Sequence, residues 1–96
     1  MIRISTPEQL FLWLRNSGML KKYNIRKFGI FGSFARREPF RDIDLLLEDD
    51  DVNWESLVEF SREFRFATGK NLDIMVKKYA EPLVLKRALR DIQYES

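Results

Sequence analysis

Acidic residues at the starts of two apolar segments are the part of this 96-residue chain best suited to chemistry. Asp42 and Asp44 flank Ile43 at the start of "DIDLLL", and Asp73 lies near the start of "NLDIMV". Side chains of a strand alternate between its two faces, so Asp42 and Asp44 share one face. Two carboxylates this close repel each other unless a cation lies between them. Because magnesium prefers oxygen ligands, the pair indicates a divalent metal site.

The third carboxylate strengthens this interpretation. If the two strands are parallel neighbours, Asp73 lies beside Asp42 and Asp44, and three convergent carboxylates can hold two metal ions. Such a site suits in-line displacement at phosphorus, because the ions stabilise both the attacking and the leaving oxygens. A D-x-D alone is equally typical of a strand that begins in turn residues, with Asp42 as a cap.

Gly32 and Ser33 end an apolar run and supply a candidate phosphate contact. A glycine lets the backbone approach a ligand closely, and a short helical turn after it offers free N–H groups to phosphate. Ser33 adds a hydroxyl group and Arg36 a positive charge. Gly-Ser is also a common turn, so Gly32 and Ser33 indicate a phosphate contact only if the fold places them near the carboxylates. To bring them there, the first strand must run antiparallel to the second.

The periodicity of apolar residues predicts an α/β (α+β) fold in one domain over residues 1–96, with the order α-β-(short α)-β-α-β-α. A small mixed sheet of about three strands is flanked by helices. The final helix should turn Leu85, Leu89 and Ile92 inward. Glu48 to Asp51 should form a solvated turn that caps the following helix. The predicted helices lie within 5–23, where Thr6 caps the start and Gly18 ends or weakens the helix, and within 54–69 and 81–95. The predicted strands cover 25–31, 42–47 and 71–78.

The amino-acid composition excludes several kinds of catalytic and metal site. The chain has neither cysteine nor histidine, which excludes disulfides, thiolate or imidazole zinc sites and histidine-based triads. Its net charge of +2 does not require a nucleic-acid partner. No apolar run reaches the roughly 20 residues of a membrane span, and the N-terminus does not resemble a signal peptide. We therefore expect a cytoplasmic protein that does not bind membranes.

The combination of "GSFARREPFRDIDLLLE" with a later "LDIMV" resembles the minimal nucleotidyltransferases of the DNA polymerase beta superfamily. Their pattern is Gly-Ser, a spacer, D-x-D and a third acidic residue on a following strand. The resemblance covers nearly the whole chain and implies the nucleotidyltransferase fold. The spacer of eight residues is shorter than the usual ten or so. Arg37 stands where many members have glycine, and Arg41 where serine is common.

The resemblance implies a role for each matching residue. Gly32, Ser33 and Arg36 would bind the triphosphate of an incoming nucleotide. The three aspartates, Asp42, Asp44 and Asp73, would be catalytic and would ligate Mg²⁺, with two ions during turnover. Asp73 would also help to draw a proton from the acceptor hydroxyl. A nucleoside monophosphate would be transferred, and pyrophosphate would leave.

Stand-alone members of the family are often antitoxins paired with a separate HEPN-domain toxin. The resemblance therefore implies transfer of AMP from ATP to a tyrosine of such a partner. Two alternatives stay open: a non-catalytic module that neutralises the partner by masking it, and transfer to a small molecule or an RNA end. The near-neutral charge disfavours a large RNA. The sequence also leaves a homo-oligomer open.

Overall fold

The computed structural model describes residues 1–94, which form a three-stranded mixed sheet flanked by helices. The strand order is β1-β2-β3, with β1 antiparallel to β2 and β2 parallel to β3, so the predicted strand arrangement is confirmed. The elements are α1 (Pro7–Ser17), α2 (Met19–Lys22), β1 (Phe28–Phe31), α3 (Gly32–Ala35), β2 (Asp42–Leu47), α4 (Trp54–Thr68), β3 (Asn71–Val76), a 3₁₀ turn (Lys77–Tyr79) and α5 (Pro82–Asp91).

The alternation of side chains gives the sheet one apolar face and one mixed face. Ile30 pairs with Leu45 in the β1–β2 register, and both are buried. Ile43 on the same face is also fully buried. Burial of this face stabilises the register, because a slip by one residue would turn the aspartates into the core. The apolar face therefore fixes the direction in which the acidic side chains point.

Helices α1 and α4 contribute to the core on the apolar face. In α1, Thr6 forms a capping box with Gln9, and Pro7 occupies the first turn, where it is well tolerated. In α4, the side chain of Asn53 accepts a hydrogen bond from the Ser56 backbone N–H. Their buried apolar side chains recur at helical spacing and include Leu10, Phe11, Leu14, Leu57, Phe60 and Phe64.

The end of the chain departs from the prediction. Helix α5 ends at Asp91, and Gln93 instead forms a β-bridge with Ile30 on β1. Glu95, where the predicted helix ends, lies outside the described residues. Leu89 is exposed, so the predicted inner face is partly wrong. The helix gives way to extended backbone because the free edge of β1 offers hydrogen bonds, and Ile30 and Gln93 exchange two at 2.8 Å each.

The acidic segment after β2 is not simply a solvated turn. The Glu48 side chain is only 6% exposed and forms an ion pair of 3.0 Å with Lys77 Nζ. Asp49 Oδ2 accepts hydrogen bonds from two successive backbone N–H groups, the first that of Arg26. These residues join the strand ends, and the cap of α4 comes from Asn53 rather than from this run. Within residues 1–94, no helix is both long and apolar enough to cross a membrane.

Candidate active site

Asp44 and Asp73 lie side by side on the mixed face of the sheet. They are register partners in the parallel β2–β3 pair, so the strand pairing itself places their carboxyl groups together. Burial, followed by the charges of Asp73 and Asp42, raises the pKa of Asp44 to about 6. A hydrogen bond to Asp73 adds to this shift, because it favours the protonated form of Asp44. The pair can therefore share a proton or neutralise its charge by binding a cation.

Asp42 begins β2 and is exposed to solvent. Its Oδ1 atom lies 3.5 Å from the amide nitrogen of Asn71, its partner in the parallel register. Among residues 1–94, no three acidic side chains are already spaced to hold a metal ion. The structure therefore brings Asp44 and Asp73 together and places Asp42 beside them on the same face. Sequence reasoning missed Asn71, although the parallel register could have revealed it.

Gly32 packs its backbone directly against the Asp44 carboxylate. A Cβ atom built on Gly32 would overlap Asp44 Oδ2. The residue also has a left-handed φ of 75°, which strongly favours glycine. Both constraints exclude a side chain, so this glycine lets the start of α3 lie against the acidic pair. The predicted meeting of the Gly-Ser turn with the carboxylates is therefore present.

Ser33 and Arg36 extend this edge of the site. Ser33 is half-buried in α3, and its backbone carbonyl accepts a hydrogen bond of 3.0 Å from Glu38 N–H. Arg36 follows α3, and its guanidinium donates to Glu38 Oε1 at 3.1 Å and to Asp91 Oδ2 at 2.7 Å. Its charge partly opposes the rise in the Asp44 pKa, which places Arg36 within electrostatic reach of the pair.

Arg37, which stands in the spacer where glycine is usual, has the left-handed backbone conformation that favours glycine. Arg37 has a left-handed φ of 62°, and its guanidinium forms an ion pair with Glu8 on α1. Left-handed backbone costs a non-glycine residue about 1–2 kcal/mol. The loop before β2 therefore contains a left-handed residue at Arg37, and the Arg37 side chain contributes a contact to α1.

The donor set of the acidic face fits magnesium chemically. The three carboxylates offer only oxygen atoms, which is the ligand type that Mg²⁺ prefers. Burial first, and then the charges of Asp73 and Asp42, raise the pKa of Asp44, and a bound cation would favour its ionised form against both effects. Coordination of one ion by all three requires their side chains to move closer together, since no three acidic groups of residues 1–94 are already spaced for it.

Comparison with known proteins places the chain in a family. No family model matches the sequence. A Methanocaldococcus jannaschii protein named as a protein adenylyltransferase is 32% identical over 79 residues, which cover 76% of this chain and 79% of that protein. The chain belongs to the minimal nucleotidyltransferase family of protein adenylyltransferases. The family and enzyme class predicted from the Gly-Ser and D-x-D motifs are thereby confirmed.

Solved structures support the fold of this minimal nucleotidyltransferase. A structure described as a minimal nucleotidyltransferase superposes with a TM-score of 0.69 at 20% identity, covering 90% of this chain and 94% of that one. The complex of a tri-AMPylated Shewanella oneidensis HEPN toxin with its MNT antitoxin gives a TM-score of 0.64 at 14% identity, covering 88% and 68% of the two chains. At these identities the likeness establishes the shared fold.

Proposed function

We propose that this nucleotidyltransferase transfers AMP from ATP to a tyrosine hydroxyl of a separate HEPN-domain toxin and so acts as its antitoxin in the cytoplasm. The observation that carries the proposal is the contact between the Gly32 backbone and the carboxylate of Asp44, the register partner of Asp73, because it joins the candidate phosphate-binding turn to the candidate metal-binding carboxylates. The relative named as a protein adenylyltransferase and the neighbour bound to an AMPylated toxin support the choice of donor and acceptor.

Asp42, Asp44 and Asp73 would hold Mg²⁺ on the mixed face of the sheet. When bound, the metal supplies electrostatic stabilisation to the attacking and leaving oxygens of an in-line displacement. The three carboxylates determine where the positive charge of the metal would lie, because all three are at the same ends of β2 and β3. Asp44 must be ionised to ligate, and ligation would lower its pKa from the raised value near 6.

Gly32, Ser33 and Arg36 would bind the triphosphate. The absence of a side chain at Gly32 lets its backbone lie against the Asp44 carboxylate, so a phosphate bound at this turn would lie near the carboxylates, and Ser33 adds a hydroxyl donor. Arg36 retains N–H groups for phosphate, because its guanidinium has five and the two carboxylates engage only two atoms of it. These contacts would hold the triphosphate beside the three carboxylates.

Asp73 is the proposed proton acceptor for the attacking hydroxyl. It is exposed, unlike the half-buried Asp44, so an acceptor from outside can reach it. The hydroxyl gives its proton toward Asp73 while its oxygen forms a bond to the α-phosphorus. The bond from that phosphorus to the β-phosphate oxygen breaks, and pyrophosphate leaves. The acceptor gains AMP, and the proton passes on to solvent.

Transfer of radiolabel tests the proposal. The protein is incubated with α-³²P-ATP, magnesium and a purified HEPN-domain partner, and the label on the partner is measured. We expect transfer that is abolished by Asp42→Asn and by substitution of the acceptor tyrosine. Asp50→Asn is the matched control, because Asp50 is an exposed aspartate beyond the opposite end of β2. Tight partner binding without label transfer would instead support neutralisation by masking.

A further inference from the structure

Residues 91–93, which begin at the last residue of α5, contact the candidate phosphate-binding turn, and we term this segment the C-terminal strap. Asp91 Oδ2 accepts a hydrogen bond from Arg36 Nη1 at 2.7 Å. Gln93 Nε2 donates to the Ala35 carbonyl at 2.9 Å. The Gln93 backbone also pairs in both directions with Ile30 on β1. The strap thus joins β1 to both the last residue of α3 and the arginine after it.

Helix α3 depends on such support because it is a single turn of four residues. A helix this short is unstable by itself, since too few hydrogen bonds offset the cost of ordering its backbone. Its N-terminal side lies against Asp44 through Gly32, and its C-terminal carbonyl at Ala35 is bound by Gln93. The turn is therefore held from both ends, by the catalytic strand and by the strap.

Arg36 shows why the position of this turn matters for a nucleotide. A free arginine side chain loses rotamer entropy when a ligand fixes it. Asp91 and Glu38 fix the guanidinium in advance, within electrostatic reach of Asp44. By its charge alone, Asp91 would weaken nucleotide binding, because a carboxylate repels a triphosphate. Weaker nucleotide binding after its removal would therefore be specific evidence of positioning.

We propose that Asp91 and Gln93 are positioning residues that hold Arg36 and α3 in the conformation that binds the nucleotide triphosphate. The inference rests on the proposed function and adds to it two residues that do not contact the reacting atoms. Their contribution is to binding, which is equal in the ground state and the transition state. Their loss should therefore raise the KM for ATP and leave kcat nearly unchanged.

Kinetics with ATP as the varied substrate test Asp91. Asp91→Ala should raise the KM for Mg–ATP roughly 3- to 10-fold, with kcat within about 2-fold and the KM for the partner unchanged. Asp91→Glu should have a KM for Mg–ATP close to that of the wild type, because it keeps the carboxylate that pairs with Arg36. Glu59→Ala is the matched control, because it breaks an exposed ion pair with Arg62 on α4. Unchanged or tighter ATP binding by Asp91→Ala would overturn the proposal.

A double-mutant cycle tests whether Asp91 acts through Arg36. In an Arg36→Ala background, Asp91→Ala should have no further effect on the KM for ATP. Additive losses would mean that Asp91 acts on the fold in general and not through the arginine. Gln93→Ala should raise the KM to a similar degree, and Gln93→Glu should not rescue it, since a carboxylate cannot donate to the Ala35 carbonyl.

Amide hydrogen exchange separates failure of this inference from failure of the proposed function. Without nucleotide, Gln93→Ala should speed the exchange of the Arg36 amide, which bonds to the Gly32 carbonyl at 3.1 Å, several-fold. The core amides of β2 should exchange as in the wild type. Normal protection of α3 in the variant would refute positioning even if transfer occurs. Faster exchange together with absent transfer would instead contradict only the proposed function.

Discussion

Replacement of Asp44 by asparagine should stabilise the metal-free protein while abolishing its activity. The carboxyl group is half-buried beside Asp73, and its pKa is raised to about 6 from an ordinary value of 3.8. A carboxyl whose pKa is raised by folding opposes folding when it is ionised. Stability is therefore highest below the ordinary pKa and is lost as the pH rises through 6. Asparagine removes that cost and can donate a hydrogen bond to Asp73.

The magnitude follows from the two pKa values. Their difference, 6 minus 3.8, is about 2, and each pH unit corresponds to about 1.4 kcal/mol, so the upper limit is near 3 kcal/mol. Partial exposure of Asp44 to water reduces this to about 1–2 kcal/mol at pH 7.5. For a chain of this size, the gain corresponds to a rise in Tm of roughly 5–10 °C.

The measurement is urea unfolding of the wild type and Asp44→Asn at pH 7.5 and at pH 5, with EDTA present. At pH 5 folded wild-type Asp44 is mostly protonated, so the advantage of the variant should shrink by about 1 kcal/mol. Asp50→Asn again serves as the control, and its effect should be small at both pH values.

Two results would refute this reasoning. One is an Asp44→Asn protein that is less stable than the wild type at pH 7.5, which would mean that the ionised carboxylate is stabilised by partners in the fold. The other is a gain in stability that does not change between pH 7.5 and pH 5, because the advantage would then not arise from ionisation of Asp44.

Three other outcomes are expected. Gly32→Ala should lower transfer at least tenfold and destabilise the fold by about 2 kcal/mol or more, since its methyl group overlaps the Asp44 carboxylate on left-handed backbone; normal activity and stability would contradict the close packing. Glu48→Gln should lower the free energy of unfolding by about 1–2 kcal/mol without changing catalysis, because it removes the charge of the nearly buried carboxylate that pairs with Lys77. Urea unfolding measures the stability, and the transfer assay measures the activity. The apparent Mg²⁺ affinity should fall about tenfold from pH 7 to pH 5 as protons compete for Asp44; a calorimetric affinity independent of pH would exclude Asp44 as a ligand.

Local patterns along the sequence predicted most of the residues of the candidate site. The alternation in "DIDLLL" placed Asp42 and Asp44 on one face, and β2 begins and ends as predicted. Asp73 was located by the same logic on the next strand. Gly32 was expected for its closeness to a ligand. The structure adds the reason that no side chain fits there, which is the carboxylate of Asp44 itself.

The last part of the chain shows where local patterns fail. Apolar spacing predicted a helix through Ile92 to Glu95, yet Gln93 is extended. The spacing of residues records which face of a helix is apolar, but it does not record that β1 has a free edge nearby. Glu48 is similar: its neighbours in sequence are acidic and polar, yet its side chain is nearly buried and pairs with Lys77 on the turn after β3.

The sequence by itself determined the chemistry of this protein: a glycine turn, an acidic pair on the strand that follows it, a third acid on a later strand, and neither cysteine nor histidine. Residue type and the two-residue repeat of strands are local properties, so they can be read along the chain. Tertiary structure decided that Asp91 and Gln93, more than 50 positions from Arg36 and Ala35, hold those residues. Such contacts depend on how the strands and helices pack, and no local period encodes them.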